Sequence, residues 1–202
     1  MITNVEYNNK EIILILLENL LKMLERRGLI KSWEVEIKKL GEISNNSSFE
    51  IILSDKTKYS IYLINTKLSS IVQGTILDDY LSNNIDIHKI VIAKDVAKKV
   101  IKQILTEYKN AEFFFEYEMM EDIPNKIFIP EHQLLSTEEK DELLKKFGEN
   151  ELAKILSTDM MSRYYNAKIG DIFRIIRPSF TSGKNIFYRR VINGSIDFMF
   201  SS

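Results

Sequence analysis

Apolar positions near the start of the chain recur at helical spacing. Ile12 to Leu17, Leu20, Leu21 and Leu24 form a wide apolar stripe, Glu11 and Glu18 lie on early turns, and Lys22, Arg26 and Arg27 lie late. Acids early and bases late complement the helix dipole, so the spacing predicts a helix that Gly28 ends. Its basic residues cluster at the end instead of lining a face, which favours a core helix over one lying on a membrane surface. Trp33 to Ile37 alternates and reads as a short strand or edge, and Ser44-Asn-Asn-Ser-Ser reads as a polar loop. Phe49–Leu53, Tyr59–Ile64, His88–Ala93 and Glu112–Tyr117 read as strands, with Asp55-Lys-Thr-Lys as the hairpin turn between the first two. Between them, Ile71–Leu81 and Asp95–Tyr108 read as helices, the second capped by Asp95 with Val96, Val100, Ile101 and Leu105 on one face. Strands alternating with helices imply an α/β layer with at least one parallel pair.

Glu121-Asp-Ile-Pro-Asn is the predicted boundary, because Pro124 interrupts the pattern among solvated acids. It divides the chain into residues 1–125 and 126–202. In the second part, Ser136-Thr-Glu-Glu is a capping box in which Ser136 and Glu139 satisfy each other's backbone N–H groups. Leu143, Leu144 and Phe147 then share a face, and Gly148 supplies the helix-ending residue that tolerates positive φ. Asp159 caps a short segment from Met160 to Tyr165, and Lys168-Ile-Gly-Asp is a tight turn into the strand Ile172–Ile176. A Thr181-Ser-Gly-Lys-Asn loop leads to a strand from Ile186 to Ile192. Asn193-Gly194 sits between two apolar arms, so Ser195–Phe200 is expected to add a strand that extends the sheet or covers an edge.

With 45% apolar and 28% charged residues, the chain of 202 residues has globular composition. A net charge of −1 gives no global pull toward nucleic acid or anionic membrane. There is no cysteine, which excludes disulfides and thiolate metal sites and fits an intracellular compartment. Two histidines are too few for a histidine metal cluster. The first residues lack the layout of a signal peptide, and no run reaches the roughly 18 apolar residues a spanning helix needs. No repeats stand out, and the abundance of Asn, Lys and Ile fits an AT-rich genome.

An ordered series of residues in the second part carries a resemblance: Pro130-Glu131-His132, Leu135-Ser136, Glu142-Leu143-Leu144, Asp159, Arg163-Tyr164, Gly170, Ile175-Ile176-Arg177-Pro178-Ser179, Thr181-Ser182-Gly183 and Tyr188-Arg189. It resembles the assembly domain of a cellular RNA polymerase subunit, a small one in archaea whose eukaryotic counterpart is the fifth-largest subunit shared by the nuclear polymerases. The remaining chain is similar to the eukaryotic-type version, which adds an amino-terminal jaw domain. The resemblance implies an α/β jaw domain of restriction-endonuclease-like layout, inactive, followed by a small α+β assembly domain. It implies a non-catalytic polymerase subunit that docks on the largest subunit and forms part of the downstream DNA jaw. It implies no catalytic residue, cofactor, metal, membrane or small-molecule substrate of its own.

By the same resemblance, Pro130, Glu131, His132, Arg163, Tyr164, Arg177, Ser179, Thr181, Gly183, Tyr188 and Arg189 are the expected contacts to the largest subunit. The family ends close to Tyr188-Arg-Arg-Val, so the tail from Ile192 to Ser202 departs from it. So does Asp159-Met160, where the family has Asp-Pro, and Asn166, where it has glycine; asparagine also tolerates positive φ. This drift is similar to that of a polymerase encoded by a large DNA virus, which would place the protein in the virion and host cytoplasm. A divergent cellular lineage would place it in the nucleus.

Charge supports a docking surface. From Glu131 to Glu151 acids outnumber bases seven to three, whereas Arg163, Lys168, Arg174, Arg177, Lys184, Arg189 and Arg190 face Asp171 alone in the next stretch. One side of the hairpin is therefore expected to be positive, either paired to the acidic helix or docked on an acidic partner. Lys56, Lys58 and Lys67 are candidates for phosphate contact near DNA. Two other readings remain open here. A Mg²⁺-dependent nuclease needs converging carboxylates and a lysine, for which the chain offers Asp55 and then Asn65-Thr-Lys67, with an amide where the second carboxylate belongs. A free regulatory adaptor of the polymerase would use the same docking surface. His132 reads as a hydrogen-bonded structural residue, and no Gly-x-Ser-x-Gly elbow supports serine chemistry.

Overall fold

The computed structural model describes residues 9–40, 48–83, 86–148, 151–179 and 183–200. It divides into two compact units, Met1–Asp122 and Ile123–Ser202, each mixed α/β around its own sheet. The division falls three residues before the expected start at Lys126, at a single 3₁₀ turn, Ile123–Asn125.

In the first unit, α1 (Asn9–Arg26) buries Ile13, Leu16, Leu17, Leu20, Leu21, Met23 and Leu24. It is a core helix, and Gly28 follows at φ 73°. Strands β1 (Ser48–Ile52), β2 (Lys58–Ile64), β3 (His88–Ala93) and β4 (Ala111–Phe115) lie in sequence order across one sheet. The pair β1–β2 is antiparallel, while β2–β3 and β3–β4 are parallel, with α3 (Ile76–Ser82) and α4 (Lys98–Glu107) as the crossover helices. The central strand β3 is buried along nearly its whole length, as a parallel strand covered on both faces must be.

Several local expectations give way here. Trp33–Lys39 is helix α2, not a strand. Its alternating acids fall in the first turn and its lysines in the last, Glu36 pairs with Lys39, and Lys22 of α1 sits over the Trp33 ring at 4.7 Å. The second crossover helix starts at Lys98 instead of Asp95, because the Asp95 carbonyl accepts from Leu68 N–H in a short bridge that holds the chain extended. The first begins at Ile76, where Thr75 accepts from Asp78 N–H, and not at Ile71. Tyr117 likewise falls outside β4, in the short helix α5 (Glu116–Met119).

The second unit holds strands β5 (Glu131–Leu134), β6 (Ala153–Leu156), β7 (Ile172–Ser179) and β8 (Gly183–Ile192), ordered β5-β7-β8-β6. The long hairpin β7–β8 is the centre, flanked antiparallel by β5 and parallel by β6. Helix α6 (Thr137–Lys146) covers one face, where Leu143, Leu144 and Tyr188 pack on Leu135, Leu152 and Ile172. Tyr165 and Ala167, just after α7 (Met160–Tyr164), pack on the other face against Ile155, Phe173, Ile175 and Val191. The capping box forms as expected, with Glu139 N–H donating to Ser136 Oγ at 3.3 Å and Ser136 N–H to Glu139 Oε2 at 3.1 Å. Asp159 caps α7 by accepting from Met161 N–H at 2.8 Å. Asn166 and Gly170 take the positive φ that their turns require. Gly148 does not, since the chain already leaves α6 in extended backbone at its C-cap, Phe147 (φ −125°, ψ 128°).

The tail corrects the sequence expectation most plainly. Ile196–Phe200 is a 3₁₀ helix, and no hairpin forms at Asn193-Gly194. The reason is topological: β8 already has β7 on one side and β6 on the other, so a returning strand finds no free edge beside Ile192. Gly194 instead lets the backbone pass close over Thr158. A Cβ there would meet Thr158 Oγ1 at 2.3 Å, and Gly194 N–H donates to Ser157 Oγ at 3.0 Å.

Candidate partner-binding site

Strand periodicity sorts the expected contact residues. Phe173, Ile175 and Arg177 of β7 stand opposite Arg189, Phe187 and Asn185 of β8, so these six share one face of the sheet. His132 of β5 is in register with Ile175 and joins them. Its Nδ1–H donates to the Pro130 carbonyl at 2.7 Å, and its ring meets Phe173 edge-on at 5.7 Å. Burial holds its pKa below the ordinary histidine range, so the ring is neutral and structural. Glu131 faces the opposite way, exposed, accepting from Gln133 Nε2.

Tyr188 lies on the face covered by α6, half-buried and in register with Arg174. Arg174 donates to Glu139 Oε1 at 2.9 Å, so Glu139 both caps α6 and ties it to β7. The seven cations therefore do not line one side of the hairpin: Arg174, Lys184 and Arg190 share one face, Arg177 and Arg189 the other. Arg163 Nε donates to the Thr158 carbonyl, and Lys168 Nζ to Asn166 Oδ1. Arg177, Lys184 and Arg189 are exposed and form no ion pair among the described residues. Tyr164 is only 2% exposed and packs edge-on to Tyr165, so it supports the fold and cannot itself face a partner. Thr181 lies outside the described residues; Ser179 and Gly183 form the last register pair of the hairpin.

The structure adds two residues that the sequence reading passed over. Ile186 and Phe187 are 54% and 50% exposed, on opposite faces of β8. They lie where the hairpin outruns its flanks, since β5 pairs no further than Ile176 and β6 begins opposite Arg189. Apolar residues in a strand normally announce packing; here no element among the described residues covers the ribbon on either face.

In the first unit, Lys56 occupies the β1–β2 turn at φ 70°, and Lys58 Nζ reaches Glu50 at 3.3 Å. Lys67 lies beyond the far end of β2, 3.4 Å from Asp95. The three lysines therefore split between opposite ends of that strand. The same separation removes the nuclease arrangement. Asp55 precedes β2 and Asn65 follows it, and seven strand residues at ~3.3 Å each hold them about 20 Å apart. Asp55 is a turn residue whose Oδ1 accepts from both the N–H and the hydroxyl of Thr57, holding its carboxyl below the ordinary range. Among the described residues no three acids or histidines converge as a metal site, and no helix is long and apolar enough to cross a membrane.

The family model described as RNA polymerase Rpb5, C-terminal domain, matches residues 121–191, which takes in β5 through most of β8. The chain is 34% identical over 136 residues to "DNA-directed RNA polymerase subunit 5" of Acanthamoeba polyphaga mimivirus, covering 66% of this chain and 65% of that protein. It is 40% identical over 72 residues to "DNA-directed RNA polymerase subunit Rpo5" of Archaeoglobus fulgidus, 35% of this chain and 95% of that protein. Over 183 residues it is 29% identical to "DNA-directed RNA polymerases I, II, and III subunit rpabc1" of Dictyostelium discoideum, 85% of this chain and 93% of that protein. The mimivirus match thus spans just under two thirds of that relative. The archaeal protein is matched over 95% of its length at 40% identity, and on that ground the chain belongs to the RNA polymerase subunit 5 family, the Rpb5 and Rpo5 proteins.

Proposed function

We propose that this protein is a non-catalytic subunit of a multisubunit DNA-directed RNA polymerase, assembled on the largest subunit through its second unit. The observation that carries the proposal is the ribbon Arg177–Ser179 and Gly183–Arg189 within the family-matched region. It exposes Ile186, Phe187 and three cations that have no acid partner among the described residues. A pairing of apolar and arginine side chains is what the core of a protein interface uses. His132, Arg177, Phe187 and Arg189 on one face form the centre of the contact, with Arg163 and Pro130-Glu131 at the β5 start at its margin. Tyr188 supports the ribbon from the α6 side.

The first unit acts as the jaw beside downstream DNA. Its four-stranded sheet with parallel β2, β3 and β4 fits the endonuclease-like layout, and the placement of Asp55 leaves that layout without its chemistry. The resemblance to the mimivirus subunit favours a large DNA virus as the source, with the protein in the virion and host cytoplasm. The test is co-expression of the full chain with the largest subunit of the same polymerase. Retention through size exclusion is expected, and loss of retention in the Arg177→Glu, Arg189→Glu double variant ties it to this face. A chain that elutes alone contradicts the proposal.

A further inference from the structure

The ribbon has two open backbone edges, and they are not equivalent. Val191 N–H donates to the Asp171 carbonyl, across to the strand that becomes β7. In an antiparallel pair the inward and outward backbone groups alternate. Odd-numbered residues of β8 therefore turn their N–H and C=O groups toward β7, and even-numbered ones turn them away. Ser157 N–H donating to the Ile192 carbonyl, on the β6 side, fixes the same phase. Along Gly183–Tyr188 no strand among the described residues lies on that outer side, because β6 starts opposite Arg189. Lys184, Ile186 and Tyr188 thus turn their N–H groups outward at an unpaired edge.

The opposite edge is closed to this use. Leu135 N–H donates to the Ile172 carbonyl, so even-numbered residues of β7 face outward there. Beyond Ile176, where β5 stops, the next outward residue is Pro178, which has no N–H to give. Proteins commonly blunt free edges with proline or bulges. This ribbon is blunted on the β7 side and left open on the β8 side.

We infer that the partner engages this protein by strand addition: an extended segment of the large subunit pairs with β8 along Gly183–Tyr188, in line with β6. The inference rests on the docking proposed above. Charge specifies the segment. On one face it runs beside Asn185, Phe187 and Arg189, with Arg177 across the ribbon; on the other, beside Lys184, Ile186 and Tyr188. Each face sets an apolar side chain next to a cation that has no acid among the described residues. A segment of about five residues that mixes carboxylates with aliphatic or aromatic side chains complements both faces.

The experiment uses the full chain co-expressed with the tagged largest subunit. Ile186→Pro removes one outward N–H and is compatible with an edge strand, whereas Ile186→Ala keeps the N–H and shortens only the side chain. Strand addition predicts that Ile186→Pro lowers recovery about tenfold or more, and Ile186→Ala less than about threefold. Deuterium uptake of the wild-type peptide covering 183–188 supplies a reading free of any mutation. It is expected to lose three fast-exchanging amides, those of Lys184, Ile186 and Tyr188, on complex formation. Wild-type recovery of Ile186→Pro, or an unchanged uptake in an intact complex, overturns strand addition and leaves the docking proposal standing. Failure of the wild-type chain to co-purify overturns both.

Discussion

Arg27 and Glu112 stand 85 positions apart in sequence and meet through two parallel hydrogen bonds, Nη1 to Oε1 at 2.9 Å and Nη2 to Oε2 at 2.7 Å. The arginine side chain is 4% exposed and the glutamate 12%. His88 Nε2 approaches the same Oε1 at 2.5 Å while its ring stacks on Tyr59 at 4.4 Å. The end of α1, the β3 start and β4 are thereby held at one point, and Arg26–Asp122 and Asn19–Met119 fasten the same helix to the α5 segment.

Removing Arg27 leaves a buried carboxylate without its bidentate partner. Arg27→Met is expected to cost the first unit ~3–5 kcal/mol, the usual penalty for an orphaned buried charge. Trp33, the single tryptophan and a first-unit residue, reports the transition in urea. A loss under about 1 kcal/mol would contradict the pairing.

Burial alone would raise the Glu112 pKa, yet Arg27 and the His88 hydrogen bond hold it at about 2 against an ordinary 4.5. A depressed carboxylate contributes stability above its unfolded pKa and loses it as pH falls through the folded one. First-unit stability should therefore decline between pH 4.5 and 2, by about 3 kcal/mol from this group. In Glu112→Gln the curve should be flatter across that window, although lower throughout; an unchanged slope would remove Glu112 as its cause.

His132 gives the second unit a pH dependence nearer neutrality. Its folded pKa is depressed by burial, so the stability it contributes is present above the unfolded value of 6.5 and is lost as pH falls through the lower folded one. Imidazole proton shifts followed from neutral pH downward should show a midpoint below 6.5, and a midpoint above it would contradict the buried, neutral ring.

Gly194→Ala tests the tail. Its Cβ would lie 2.3 Å from Thr158 Oγ1 and 3.1 Å from Thr158 N, too close for a short side chain and backbone to yield cheaply. A destabilisation of ~1–3 kcal/mol is expected, read by amide exchange in β6 and β8. Neutrality would mean that the tail does not pass so closely over Thr158.

The jaw role proposed for the first unit makes its DNA contact electrostatic. Lys56→Glu with Lys58→Glu should reduce the salt dependence of polymerase–DNA binding, with a separate and independent effect from Lys67→Glu at the other end of β2. A salt slope unchanged in all variants would remove these lysines from the contact.

Elements written into short spans were legible in the sequence: the Ser136 capping box, the Asp159 cap, the helix end at Gly28, the turns at Asn166 and Gly170, and the four strands of the first sheet. Each depends on residues within a few positions of one another. Elements that a distant partner decides were not legible. Trp33–Ile37 alternates like a strand, but α1 supplies the surface that makes it a helix. Asn193-Gly194 is a strong hairpin signal, but β6 and β7 had already taken both edges of β8. Strand β6 is only four residues long and was invisible without β8. Within the candidate site, part of the residue series falls on the ribbon. Its two faces, the burial of Tyr164 and the exposure of Ile186 and Phe187 follow from register and from where neighbouring strands stop.

The most direct measurement is affinity purification of the tagged full chain from cells in which its own polymerase is made, with quantitation of the co-purifying proteins. A stably assembled subunit brings down the two largest polymerase subunits in one-to-one ratio with the chain, and recovery falls in Arg177→Glu with Arg189→Glu. Recovery of the chain alone, or with polymerase in small and variable amounts, would contradict it.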